Sequence, residues 1–206
     1  MGWLRAPRGE DAIDDPVEAA MAATPRADFL PRSQRAYADV NRALPIGYGQ
    51  TNSQPTTVSD MLHALRVEPG QRVLDVGAGS GWTTALLARL VGPTGTVVGV
   101  ERIPPLTDEG AAAVRRTGQP WARVQQADPD RLGAPDDAPF DRILVSAQGD
   151  EVPAALVDQL ADDGLMVLPV GGRLLRLRRD GSGDDLGGYV FVPLVRRPGP
   201  EGESWG

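Results

Sequence analysis

Hydrophobic positions change their rhythm along the chain near Gly70. Before it they recur at helical spacing. Asp15, Pro16 and Glu18 form a capping pattern ahead of Val17, Ala20 and Met21, which predicts a first helix. A short second helix is predicted over Ser33–Asn41. A third is predicted from Ser53 or Gln54 to Leu65, because Val58, Met61, Leu62 and Leu65 share one helical face. Pro69-Gly70 ends it. Between the second and third lies "LPIGYGQTNSQP", Leu44–Pro55, which is polar, glycine-flanked and without a core-building period.

After Gly70, short apolar runs alternate with helical ones. Strands are predicted at Arg72–Val76, Gly95–Val100, Ala122–Gln126 and Phe140–Ala147, and helices at Ser80–Val91, Leu106–Arg116 and Pro153–Leu160. Closing strands are expected at Leu165–Val170, Leu174–Arg178 and Tyr189–Val195, the last two joined by the turn-rich "DGSGDDLGG". Such alternation implies parallel βαβ units. The predicted fold class is therefore α/β: a Rossmann-like, doubly wound, mostly parallel sheet with an N-terminal helical extension and an antiparallel C-terminal strand region. One domain is expected over 1–206, with 1–70 as a helical, active-site segment, 71–195 as the core and 196–206 as a flexible tail with little to bury.

Composition narrows the chemistry. A net charge of −7 argues against nucleic acid and anionic membrane surfaces as partners, since phosphate affinity needs positive charge. No apolar run approaches the roughly 20 residues of a membrane span, and the first residues lack an apolar signal core, so a cytoplasmic, monomeric protein is expected. There is no cysteine and no lysine, the 21 basic residues are all arginine, and His63 is the single histidine. Thiol nucleophiles, Schiff bases, a phosphate-loop lysine and cysteine- or histidine-cluster metal sites are thereby excluded, and no metal is expected. The chemistry must rest on carboxylates, hydroxyls, amides and a borrowed reagent.

The strongest motif is "VLDVGAGSGW", Val73–Trp82. A strand runs into Gly77, Gly79 and Gly81, and a helix follows at once, so backbone can approach a ligand closely and helix N–H groups face it. A dinucleotide fingerprint would place its last glycine where Trp82 stands. Here Asp75 precedes the glycines instead. This acid-x-G-x-G-x-G pattern resembles motif I of the class I methyltransferases, which implies S-adenosylmethionine as cofactor; a carboxylate beside the loop suits a ligand that carries an ammonium group and no pyrophosphate. Glu101, ending the next strand, is a candidate for both ribose hydroxyls, and Asp128, ending the third, for the adenine amino group; a solvated strand end is the alternative for each.

The chain beyond this motif carries a narrower resemblance. Arg26, Phe29 and Pro31, then Ala36-Tyr37, the block Gly47–Pro55, "APFDRILVSA", "LPVGG" and "VFVPLV" resemble, in order, the protein-L-isoaspartate O-methyltransferases. The resemblance implies methylation of the free α-carboxylate of L-isoaspartyl residues in damaged proteins or peptides. The methyl ester then closes to a succinimide, which reopens partly as normal aspartate. It implies that Ser53 sits in the active site, aligning the attacking carboxylate by a hydrogen bond, and that Gln50 and Thr51 line the cofactor pocket. A helix N-cap is the other role open to Ser53. The chain departs from the family pattern where Asn52 replaces an aliphatic residue and where the family's Gly-Asp-Gly is Ala127-Asp128-Pro129. Methylation of an aspartate in a dedicated peptide, and a non-catalytic cofactor-binding homologue, remain alternatives. A Ser53–His63 hydrolase pair is not expected, because ten positions along one helix span about 15 Å.

Overall fold

The computed structural model describes residues 15–194. The expected tail at 196–206 and residues 1–14 of the N-terminal reading lie outside the described residues.

Asp15 Oδ1 accepts the N–H groups of Val17 at 2.9 Å and Glu18 at 3.3 Å, which starts α1 (Pro16–Ala23) as the capping pattern predicts. The next segment corrects the expected helix over 33–41. It forms two 3₁₀ turns, Arg26–Phe29 and Arg32–Tyr37, each entered through a proline, Pro25 and Pro31, that fixes φ and lacks an N–H. The polar stretch after it is a hairpin of β1 (Leu44–Gly47) and β2 (Gln50–Asn52). Its turn residues Tyr48 and Gly49 both adopt positive φ, 54° and 67°, as a twist-matched two-residue hairpin turn requires. Then α2 (Pro55–Leu65) begins with Gln54, not Ser53, at the N-cap, so Ser53 is not spent on capping.

The larger sheet is built from β3 (Arg72–Val76), β4 (Thr96–Glu101), β5 (Ala122–Gln126), β6 (Phe140–Val145), β7 (Leu160–Val170), β8 (Arg173–Arg178) and β9 (Gly183–Gly188). Helices α3 (Trp82–Val91), α4 (Pro104–Arg116) and α5 (Ala154–Val157) connect the parallel strands. The strand order is β5-β4-β3-β6-β7-β8-β9; the first five strands run parallel and β8 and β9 antiparallel. Alternation sorts the core by face. Val73, Val97, Leu144 and Val167 point toward α1, α2 and α3, whereas Leu74, Val98, Ile143 and Met166 pack with Leu156 and Leu160.

Two C-terminal expectations are corrected. The helix expected over Pro153–Leu160 has only the residues of α5, because β7 already starts at Leu160. Among the described residues the last strand is β9, in the stretch expected to be a turn, and no strand forms over 189–194, where Pro193 makes only an isolated bridge to Gln148. Asp184 and Asp185 of β9 pair with Arg176 and Arg173 of β8, so charge and not apolar alternation holds this edge. Tyr189 leaves the sheet and donates its hydroxyl to Asp60 Oδ2 at 3.1 Å. Among the described residues no helix is long and apolar enough to cross a membrane.

Candidate active site

Strand order reverses between β3 and β4 on one side and β6 on the other, and the crevice outside the carboxyl ends of these strands is where doubly wound sheets bind ligands. A cavity of about 900 Å³ lies there. It is lined by the loop after β3, the ends of β4 and β5, the segment after β6, the β2 end of the hairpin, and Val192–Leu194.

The loop after β3 has its own hydrogen bonds. Gly77 and Ala78 donate to the Val100 carbonyl at 2.9 and 3.1 Å, Gly81 donates to Ala78 at 2.8 Å, and Gly79 donates to Glu101 Oε2 at 3.0 Å. The N–H groups of all three glycines are thus already spent, one of them on a carboxylate, so the glycines do not offer the free donors that a phosphate cradle presents. Gly81 has φ +87°, and a Cβ there would sit 2.8 Å from the Gly110 carbonyl oxygen. Its lack of a side chain lets α4 approach the loop. A Cβ on Gly79 would sit 3.2 Å from Ile46 Cδ1, which puts β1 directly over the glycines.

The acids take different positions. Asp75 is fully buried; its Oδ2 accepts the hydroxyls of Thr83 and Thr84, both at 2.7 Å, while Oδ1 has no partner among the described residues. Burial, reinforced by the nearby Glu101 charge and opposed by the two threonines, pushes its carboxyl up to about 6. Glu101 lines the cavity, and its other oxygen accepts the Ile103 N–H at 2.9 Å. Asp128 is exposed in the loop two residues past β5, where its Oδ1 accepts the Asp130 N–H at 2.8 Å.

The hairpin wall is organised by a residue that motif reading left without a role. Arg26 is only 6% exposed, and among the described residues its guanidinium has no carboxylate partner. It donates instead to the carbonyls of Ala38, Val40, Arg42, Asn52 and Ser53 and to Asn52 Oδ1, at 2.7–3.2 Å. Its Cζ also lies 5.6 Å from the centre of the Trp82 ring, at the start of α3. Burial lowers the Arg26 pKa from its usual range, yet an arginine keeps its charge there. Ser53 is thereby held by its backbone, and its hydroxyl makes no hydrogen bond to any described residue.

Of the residues singled out from the sequence, Gln50, Thr51, Ser53, Gly77, Gly79, Glu101 and Asp128 line the cavity. Asp75 and Gly81 do not. They sit behind the wall, one under the start of α3 and one against α4. His63 points away, its Nε2 2.8 Å from Asp15 Oδ2 and its Nδ1 2.7 Å from the Ser59 carbonyl, so it is not Ser53's base.

A switch-point cavity behind an acid-and-glycine loop, on a mostly parallel sheet with antiparallel closing strands, defines a class I methyltransferase. The family model for protein-L-isoaspartate(D-aspartate) O-methyltransferase matches residues 8–199. A protein-L-isoaspartate O-methyltransferase of Roseiflexus castenholzii is 46% identical over 88% of this chain and 85% of its own. A solved protein-L-isoaspartate O-methyltransferase superposes with a TM-score of 0.81 at 26% identity, over 89% of this chain and 62% of that one. A Plasmodium falciparum structure in complex with S-adenosyl-L-homocysteine shares the fold, with a TM-score of 0.78 at 24% identity over 89% and 92% of the two chains. The chain belongs to the protein-L-isoaspartate(D-aspartate) O-methyltransferase family.

Proposed function

We propose that this chain is an S-adenosylmethionine-dependent enzyme that methylates the free α-carboxylate of L-isoaspartyl residues in damaged proteins and peptides. The carrying observation is a single cavity lined both by a glycine loop already satisfied by protein acceptors and by Ser53, whose hydroxyl is uncommitted.

The donor set fits the cofactor. Each oxygen of Glu101 accepts one N–H and keeps a lone pair for a ribose hydroxyl. Asp128 has a second oxygen for an exocyclic amine, and the partnerless Asp75 oxygen behind the loop adds a negative field that favours a cationic ligand over a pyrophosphate. Gln50 and Thr51 complete the wall from the hairpin side. When bound, S-adenosylmethionine supplies a methyl group activated on a sulfonium.

The residues of the chain then have little acid–base work to do. An isoaspartyl α-carboxylate is ionised at neutral pH and needs no general base, which accords with the distant, occupied His63. Ser53 donates a hydrogen bond to one carboxylate oxygen and orients the other, so its contribution is alignment and not nucleophilic attack. The hairpin over the glycines keeps water from competing for the methyl group. We place the enzyme in the cytoplasm as a monomer, which fractionation and size-exclusion chromatography test.

Transfer of labelled methyl to an isoaspartyl peptide, its normal aspartyl twin and a no-peptide control tests the assignment. Labelling of the isoaspartyl peptide alone is expected. Equal labelling of both peptides, or of neither, contradicts it.

A further inference from the structure

We propose that Asn52 is a positioning residue that clamps the acceptor wall to the donor wall, and so sets where Ser53 stands relative to the glycine loop. The inference rests on the assignment of Ser53 to the substrate carboxylate and deepens it.

The orientation of the Asn52 amide follows from chemistry. A guanidinium has donors only, so the atom 2.7 Å from Arg26 Nε must be the carbonyl oxygen Oδ1. That fixes Nδ2 toward Ser80, whose Oγ it meets at 3.1 Å. Both partners of the bridge are buried. Ser80 stands between Gly79, which lines the cavity and donates to Glu101, and Gly81, which packs on α4. One amide therefore joins the arginine that holds the Ser53 carbonyl to the loop that faces the cofactor.

Few side chains can make this bridge. A leucine branches at the same carbon but leaves Arg26 Nε without an acceptor and Ser80 without a donor, at positions that are buried even though Asn52 and Ser80 border the cavity. An aspartate keeps an oxygen for Arg26, and the Ser80 hydroxyl can rotate to donate to its second oxygen. Asparagine and aspartate are thus interchangeable here in geometry, and leucine is not. The bridge matters because Ser53 is adjacent in sequence: a displacement of about 1 Å in a positioning group costs up to about a hundredfold in rate.

The test compares N52L, N52D, S80A and the N52L/S80A double variant with the unaltered protein. Its two readouts are kcat and KM for an isoaspartyl peptide at saturating donor, and hydrogen–deuterium exchange over residues 50–54. N52L and S80A are each expected to lower kcat about tenfold with KM changed by less than about twofold, and the double variant to be no slower than N52L. N52D is expected to recover to within about threefold of the starting kcat. Exchange over 50–54 is expected to rise about tenfold in S80A, which loses only a hydroxyl and keeps its fold. Unchanged kcat in S80A, multiplicative losses in the double variant, or unaltered exchange over 50–54 would overturn the proposal. Should the unaltered protein label no isoaspartyl peptide, the substrate assignment fails in that arm alone, while the exchange arm still decides whether the bridge holds the hairpin.

Discussion

The glycine loop and the hairpin carrying Ser53 line one cavity, yet they are stabilised by opposite means. The loop is held through its own backbone donors: its N–H groups reach Val100, Ala78 and the Glu101 carboxylate, all within 23 positions of the donor, and close approach to α4 makes Gly81 a steric requirement. The hairpin is held by a side chain, the Arg26 guanidinium, which gathers carbonyls as far away as Ser53, 27 positions along the chain. Local backbone geometry restricts residue types at fixed spacing and leaves a readable motif. A buried hub restricts one residue type at one position, so Arg26 shows in the sequence only as a member of a family segment, and its role does not show.

The comparison breaks most visibly at Arg26. R26A strips donors from five carbonyls, two of them buried, and from the Asn52 amide oxygen at once, and should cost at least about 3 kcal/mol, or roughly 6–12 °C in Tm, along with most of the turnover. R26K should rescue little, since an ammonium cannot reproduce the planar fork. A thermal melt in which R26A stays within about 2 °C of the parent would remove the arginine from the centre of this wall.

On the other wall, G81A should cost about 2–4 kcal/mol, because a methyl group meets the Gly110 carbonyl at 2.8 Å in a backbone with φ +87°. Denaturant midpoints check this. A neutral outcome would mean that α4 can move away from the loop without loss.

The smallest expected effect lies at the α1–α2 contact. Burial of His63 opposes its protonation, but the Asp15 carboxylate and the Ser59 carbonyl outweigh this and raise its pKa above 6.5; Asp15, although also partly desolvated, is lowered below 3.8 by His63 and by the N–H groups it caps. A raised histidine contributes stability that is fully present below 6.5 and is lost as pH rises through its folded pKa. The H63A variant should therefore lack a weak alkaline-side decline that the parent shows. The difference should be about 1 kcal/mol or less, because the pair is partly exposed. Parallel stability–pH curves for the two proteins would contradict the ion pair.

How far the sequence could be read follows the same division. Arg72–Val76 was legible to the residue because a buried parallel strand is a short apolar run bounded by turns, and Ala122–Gln126, a half-exposed edge strand, because of its place in the alternation of strands and helices. β9 was not, since its signal is aspartates facing arginines across a strand pair and its composition reads as a turn. Nor were the 3₁₀ turns, where Pro25 and Pro31 cut an apparently helical stretch into pieces. Within the site, Gly77, Gly79 and Glu101 stood out because the crossover from β3 to β4 fixes where a loop and a strand end must meet. Asp75 and Gly81 shared the motif but serve as its support, a distinction that spacing does not encode. Asn52 showed only as a departure from the family pattern; what it holds required knowing that Arg26 lies on one side of it and Ser80 on the other.

The claim that Ser53 serves the methyl acceptor and not the donor is tested most directly by S53A, followed by calorimetric titration with S-adenosylhomocysteine and by turnover on an isoaspartyl peptide. The account predicts donor-product affinity within about twofold of the parent and kcat lowered at least about tenfold, as expected when a group touches only the acceptor. Unaltered kcat, or a loss confined to donor-product affinity, would contradict it.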